Sequence, residues 1–471
     1  MTAPIAATIV AAVSRTVVDP SANGRRHGGL PAAPGRGDDR GDGPRVTTLA
    51  VWLTVTIAAV SPYDLAIPAD GWTGLHLRPL LLLTAGLAVA ALIGVRARVD
   101  RSAALAAGAV VAGLVVATLA SPDPTVGWAI VVRAAVLGSV FVAVATVVDG
   151  PASQRALVTA VAVGAGSAAV IGLAVLAAGG DRAGTGLLLG EISETRNVVR
   201  LTRPFSHANV AAAFLAPAAV FLAVEAIAAR PGGCGPAGRT AALSATAVVT
   251  AVALGLTLSR AGVGSVAIVG LVALVAVAGG SAGRPVGGRS AVSAVAGDRG
   301  VAALRPVAAG CVGIAAFALA AGLVSGRWAD RLDAANTPGP ASLSRPEIWA
   351  QAVEAVVNRP LTGIGPGRFG LHSAAITGPD RAPAAHAHNP LLELLATGGL
   401  IAAVGLVVAL VVLTRRLDPS ARRRAPLGLT AALAVLAIGM TVDHPLPFSS
   451  SGNLAALLAG AWFAAARSDG P

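Results

Sequence analysis

From residue 46 to residue 467 the chain alternates long apolar blocks with polar connections, most of them short. The blocks show neither the period of two of a half-buried strand nor the narrow stripe of a surface helix; they are apolar all round, as helices in lipid are. At roughly 20 residues per crossing, they predict twelve helices, near 46–61, 79–95, 102–120, 126–148, 156–178, 207–229, 240–258, 261–280, 306–325, 389–413, 427–442 and 453–467. The expected fold class is therefore an all-α integral membrane protein with about 12 transmembrane helices, one polytopic domain over residues 46–467. Residues 1–45, rich in Gly, Pro, Asp and Arg, cannot bury enough apolar surface to fold and read as a disordered cytoplasmic tail.

Composition agrees. The chain is 55% hydrophobic and 12% charged, with a mean hydropathy of +0.74, which excludes a soluble globule. A net charge of +12 raises the question of nucleic acid, but the arginines are scattered over short connections rather than gathered on a basic domain, so no nucleic-acid partner is expected. Charge here reports topology. With the N-terminus inside, the cytoplasmic connections hold Arg96, Arg98, Arg101, Arg155, Arg230, Arg239, Arg284, Arg289, Arg299, Arg305, Arg415, Arg416, Arg422, Arg423 and Arg424, and both termini are cytoplasmic. The short outer connections around Tyr63, Pro122 and Pro445 carry almost none. Cys234 and Cys311 offer neither a disulfide framework nor metal-ligand spacing, and no metal or cofactor is expected.

Two outer connections, about 179–206 and about 326–388, are long. Long loops cross regardless of charge, so their arginines need another explanation. In the second, Ser344-Arg345-Pro346-Glu347 is a capping box for an extra helix whose apolar positions are Ile348, Trp349, Ala352, Val353, Val356 and Val357 and which Arg359-Pro360 ends. Such an amphipathic helix is expected to lie on the outer leaflet or over the mouth of the bundle. The tight run from Gly363 to Phe369 follows; with no strand before it and no Gly-Lys-Ser/Thr at its end, it is not a nucleotide loop.

That loop ends in Ala385-His386-Ala387-His388-Asn389-Pro390. Asn caps exposed helix N–H groups and Pro favours the first helical position, so Asn389-Pro390 starts the next helix. His388 then sits just outside the positive end of a helix dipole, which disfavours imidazolium and leaves a ring nitrogen free to accept a proton. This is the setting of a general base; a histidine anchoring the helix at headgroup level is the plainer alternative. Three outer arginines stand out: Arg203 in Arg203-Pro204-Phe205-Ser206-His207-Ala208-Asn209, Arg260 in the turn Leu258-Ser259-Arg260-Ala261-Gly262, and Arg345. Converging guanidinium groups suit a lipid-attached diphosphate, although one interfacial Arg alone also snorkels to headgroups. Arg133, inside the fourth predicted helix, is two turns from the boundary and is left outside the site. Asp443-His444 is a second acid–base candidate, but neighbours in a turn point apart and packing is the reading adopted. His207 and Asn209 either line the mouth or cap a helix.

Together these pieces resemble the O-antigen ligase and O-antigen polymerase superfamily of membrane glycosyltransferases, over roughly residues 200–410. The match runs from Arg203 to Asn209, through Ser259-Arg260-Ala261-Gly262 and Arg345-x-x-x-Trp349, to Arg359-Pro360-Leu361-x-Gly363-x-Gly365-Pro366-Gly367-x-Phe369 and His388-Asn389 with Gly399 beyond. Ala402 departs from the family pattern, which prefers Gly, Thr or Tyr there. The resemblance implies a C-type glycosyltransferase bundle and metal-independent transfer on the outer face of the cytoplasmic membrane. It implies a polyprenyl-diphosphate-linked glycan as donor and a glycan, lipid or protein hydroxyl as acceptor. Carried onto this chain, His388 takes the acceptor proton, Arg260 and Arg345 with Arg203 hold the diphosphate, and Asn389, His207, Asn209 and Trp349 support them. Trp328 and Trp349 are expected either to stack on sugar or to sit at the interface. The rival from another class is a transporter or flippase of a lipid-linked or anionic substrate, which predicts broken helices near the bilayer midplane in two matching halves.

Overall fold

The structure is a computed structural model that describes residues 43–62, 79–94, 99–148, 150–178, 200–229 except 206, 237–282, 291–329, 343–417 except 380, 426–446 except 445, and 449–467. Among the described residues the chain forms fourteen helices and no strand: α1 Gly43–Val60, α2 Pro79–Gly94, α3 Arg101–Leu119, α4 Pro124–Val147, α5 Pro151–Ala177, α6 Ala208–Ala228, α7 Ala237–Leu256, α8 Arg260–Ala282, α9 Ala291–Val324, α10 Arg345–Asn358, α11 Phe369–Thr377, α12 Pro390–Arg415, α13 Leu427–Met440 and α14 Ser449–Ala466. Twelve of them overlie the twelve predicted apolar blocks; α10 and α11 belong to the second long connection. Eight are long and apolar enough to cross a membrane: α3, α4, α5, α6, α7, α8, α9 and α12. Shorter apolar helices occupy Ala50–Val60, Leu83–Gly94 and Leu427–Met440. The protein is a multi-pass membrane protein. The tail before residue 43, most of the 179–206 connection, residues 330–342 and Cys234 lie outside the described residues. Cys311 is buried with a free thiol.

Helix α6 is the axis of the bundle. Nearly its whole length is buried, including Phe214, Leu215, Phe221 and Leu222, so it meets protein on all sides. In lipid there is little hydrophobic gain from pairing helices, and close backbone approach takes its place. A Cβ at Gly255 of α7 would stand 2.0 Å from the Ala318 carbonyl oxygen of α9. One at Gly405 of α12 would stand 2.5 Å from that of Ala109 in α3. Ala402 packs on the same seam, 2% exposed and facing Gly113, so the small residue there serves helix contact.

Alternation of the helices sorts the connections onto two ends. At one, Arg467 Nη1 donates to Asp100 Oδ2 at 2.8 Å and to the Ala145 carbonyl at 3.0 Å. At the other meet the α3–α4 turn, residues 200–207, the α7–α8 turn, the 343–389 connection and the α13–α14 turn. Helix α10 starts as its capping box predicts: the Ser344 N–H donates to Glu347 Oε2 at 2.7 Å. Its Ile348, Ala352 and Ala355 pack with Phe369, Ala384, Ala387 and Ala396, so α10 seats on the residues leading into α12, while Val353 and Val357 face outward.

One helix is broken. Within α12, Gly399 takes φ +62°, ψ −165°, a conformation essentially confined to glycine. Residues 360–365 insert at the break: Leu400 N–H donates to the Pro360 carbonyl (2.9 Å), Ile401 N–H to Leu361 (3.1 Å), Ile364 N–H to Ala396 (2.9 Å) and Gly365 N–H to Thr397 (2.9 Å). The backbone groups freed by the break are thus paired inside the protein, as a low-dielectric setting demands.

Candidate active site

The segment entering α12 places His388. Asn389 Oδ1 accepts from the N–H groups of Leu391 (3.0 Å) and Leu392 (3.1 Å), and its Nδ2 donates to the Thr441 carbonyl at 3.1 Å, tying the start of α12 to the end of α13. Glu393, one turn into the helix, accepts from the Ala387 N–H at 2.7 Å. Held from both sides, His388 adopts φ +52°, a left-handed conformation that costs a non-glycine residue about 1–2 kcal/mol. Leu258, in the α7–α8 turn, shows the same φ; strained backbone of this kind gathers where a site must be fixed in place.

His388 Nδ1 lies 3.1 Å from Asp443 Oδ1. This overturns the expectation that Asp443-His444 is packing. The two neighbours do point apart, but the partner of Asp443 is 55 residues away, not adjacent. Asp443 also accepts from the His444 N–H at 2.8 Å. Burial works to raise the Asp443 pKa, yet the His388 hydrogen bond and charge and the His444 N–H outweigh it and leave the carboxyl below its ordinary range. The pair is a carboxylate-oriented imidazole, with Nε2 free of the dyad.

Further histidines surround it. The His386 ring lies 4.3 Å from that of His388 and 5.9 Å from that of His444, centroid to centroid. Burial first, and then the charge of His388, hold His386 down to about 4, with His207 adding to the same effect. Burial and His386 hold His444 down to about 3, and Arg133 contributes. Arg133 therefore acts on this cluster, although sequence reasoning left it outside. His207 caps α6, its Nδ1 accepting from the Asn209 N–H at 3.1 Å.

A small cavity opens between α6, α8 and α13, lined by Asn209, Ser259, Gly262, Ser265, Gly439 and Asp443 among others. Asp443 thus belongs both to the dyad and to the cavity wall. Asn209 is held by Arg200, whose Nη2 donates to Asn209 Oδ1 at 3.0 Å and whose Nε donates to the Thr257 carbonyl at 2.7 Å. Arg200 was missed by sequence reasoning; a second arginine three residues before Arg203 was the only sign of it. Arg203 is 8% exposed in the same segment. Arg260 opens α8 between Ser259 and Ala261, both cavity-lining, and its side chain is exposed. Arg345 is half-buried at the first position of α10. Among the described residues neither Arg260 nor Arg345 has a carboxylate partner, and neither is bonded to His388. Trp349 is half-buried with its indole N–H unpaired, whereas Trp328 is packed in the main core against Gly322. The structure thus brings His388, Asn389, His207, Asn209 and the Ser259–Arg260 turn to one end of the bundle. Arg345 opens α10, whose Ile348, Ala352 and Ala355 share a packed cluster with Ala387, the neighbour of His388.

Residues 245–407 match the family model described as O-antigen ligase. That segment, about a third of the chain, is similar to O-antigen ligases. No curated protein matches the chain. The matched segment begins in α7 and ends within α12, so it contains Arg260, Arg345, Trp349, His388, Asn389 and the Gly363–Gly399 junction. It leaves out Arg203, His207, Asn209 and Asp443.

Proposed function

We propose that this protein transfers or polymerises a glycan from a polyprenyl-diphosphate-linked donor onto an acceptor hydroxyl of a glycan, lipid or protein. Transfer takes place at the outer face of the cytoplasmic membrane, with twelve crossings and both termini inside. The observation that carries the reading is the His388–Asp443 pair, whose carboxylate also walls the cavity beside the Arg260 turn. His388 Nε2 removes the acceptor proton as the hydroxyl oxygen attacks the anomeric carbon; the bond from that carbon to the diphosphate breaks, and the diphosphate leaves with the electron pair. Asp443 holds the imidazole in the tautomer that leaves Nε2 basic and stabilises the imidazolium that forms. Arg260 and Arg345, with Arg203, neutralise the departing diphosphate, which guanidinium groups grip through paired hydrogen bonds without a metal ion. Asn389, His207, Asn209 and Trp349 shape the mouth.

The transporter alternative predicts a helix break whose free ends face a substrate. The break in α12 supports it poorly, because the 360–365 backbone already occupies those ends. The test is glycan transfer in membranes containing His388→Ala or Arg260→Ala at normal protein levels. Loss in both is expected; full transfer in either ends the assignment of that residue, and full transfer in both ends the reading.

A further inference from the structure

The histidine cluster holds more ligand chemistry than a general base needs. One ring nitrogen of His386, one of His388 and a carboxylate oxygen of Asp443 lie within 4.8 Å of one another. Two imidazoles and a carboxylate form the donor set of a borderline divalent cation such as Zn²⁺, which takes water or another ligand in its fourth position. In a tetrahedral shell with bonds of about 2.0–2.2 Å the donor atoms stand about 3.4 Å apart, so modest side-chain rotation closes the set. The backbone favours that closure: Glu393 fixes the Ala387 amide, and Asn389 pins α12 to the end of α13, so the ligands start from anchored positions. The guanidinium of Arg133, acting on His444, opposes a cation, and the Asp443 carboxylate offsets it. Hard ions such as Mg²⁺ seek oxygen shells and would not select this site.

We propose that His386, His388 and Asp443 form a reversible site for a zinc-class cation, and that occupancy switches glycan transfer off. The second half rests on the reading of His388 as the base: a cation bound through Nε2 occupies the lone pair that takes the acceptor proton, and one bound through Nδ1 displaces the Nδ1 proton, breaks the Asp443 hydrogen bond and leaves the neutral ring protonated at Nε2, with no lone pair there to act as base. Transfer itself proceeds with the site empty.

The full-length protein in detergent is titrated with Co²⁺, whose visible d–d absorption reports tetrahedral N/O coordination, and glycan transfer is measured in parallel against Zn²⁺ and Mg²⁺. One Co²⁺ per chain is expected, displaced by Zn²⁺. His386→Phe and His386→Asn should weaken it by at least about tenfold while keeping metal-free transfer. Zn²⁺ should abolish transfer in the wild type, spare it in the His386 variants, and have no counterpart in Mg²⁺. Absence of Co²⁺ absorption at millimolar metal, or unchanged binding in both His386 variants, overturns the site. Zinc bound without inhibition, or with stimulation, overturns the switch. Because Co²⁺ absorption is read without activity, failure of the transferase reading by His388→Ala leaves the metal result separately interpretable.

Discussion

Gly399→Ala tests the junction on which the geometry of α12 rests. A methyl group there would stand 2.4 Å from the Leu361 carbonyl oxygen and 2.5 Å from the Gly363 nitrogen, so these backbone atoms must each retreat by about 1 Å to reach ordinary contact. The conformation itself costs alanine about 1–3 kcal/mol. Retreat of the 361–363 backbone also breaks the bonds from Leu400 and Ile401, each about 1 kcal/mol, more where water is excluded. The sum is about 3–5 kcal/mol, a population change of roughly 10² to 4 × 10³ at 1.4 kcal/mol per factor of ten. The measurement is unfolding of the purified full-length protein in detergent, together with protease cleavage within 360–365. The control is Gly313→Ala in α9, where nothing lies within 4 Å of the added methyl and stability should rise by about 0.4–1 kcal/mol. If Gly399→Ala unfolds within about 0.5 kcal/mol of wild type, or if both substitutions act with the same sign, the account of the broken helix is wrong.

Three further outcomes are expected. Asp443→Asn should lower the turnover of glycan transfer by about 10²–10⁴-fold while leaving donor KM close to wild type, as measured in purified membranes; an unchanged turnover would show that the carboxylate does not orient His388. Arg200→Ala leaves the Thr257 carbonyl and the Asn209 amide without their donor and should destabilise the protein by about 2–3 kcal/mol, read by denaturation in detergent, whereas Arg359→Ala on the exposed end of α10 should not. Glu347→Gln should loosen α10, seen as faster proteolysis near residue 345. The Arg381 and Ser344 hydrogen bonds hold the Glu347 carboxyl down to about 2, so its contribution is complete above its ordinary value of 4.5 and fades as pH falls toward 2; the difference between variant and wild type should shrink over the same range.

The apolar blocks made the helix positions legible because lipid imposes a single rule, about 20 apolar residues per crossing, on each of them. Ser344-x-x-Glu347 and Asn389-Pro390 were legible for a local reason: caps act within one turn, so three or four letters contain the whole interaction. The Asp443–His388 pair was not, because no local rule links residues on either side of α12 and α13, and adjacency directed attention to His444 instead. Gly399 shows the same limit. Its letter sits in an uninterrupted apolar run and reads as helix, and only the arrival of residues 360–365 from elsewhere explains why the helix stops and restarts there. Arg260 and Arg345 were picked out as charges without a topological reason; their lack of carboxylate partners among the described residues is the three-dimensional counterpart.

The recognisable family segment and the working chemistry do not coincide in extent. The imidazole lies inside residues 245–407, but the carboxylate that aims it and the amide opposite it across the cavity come from α13 and α6, outside. A chimera made by exchanging that segment between two relatives would therefore pair one parent's base with the other parent's acid. Its activity would report the register of α13 against α12 rather than the quality of the transplanted part, so an exchange meant to move donor or acceptor preference must carry the α13–α14 turn along with it.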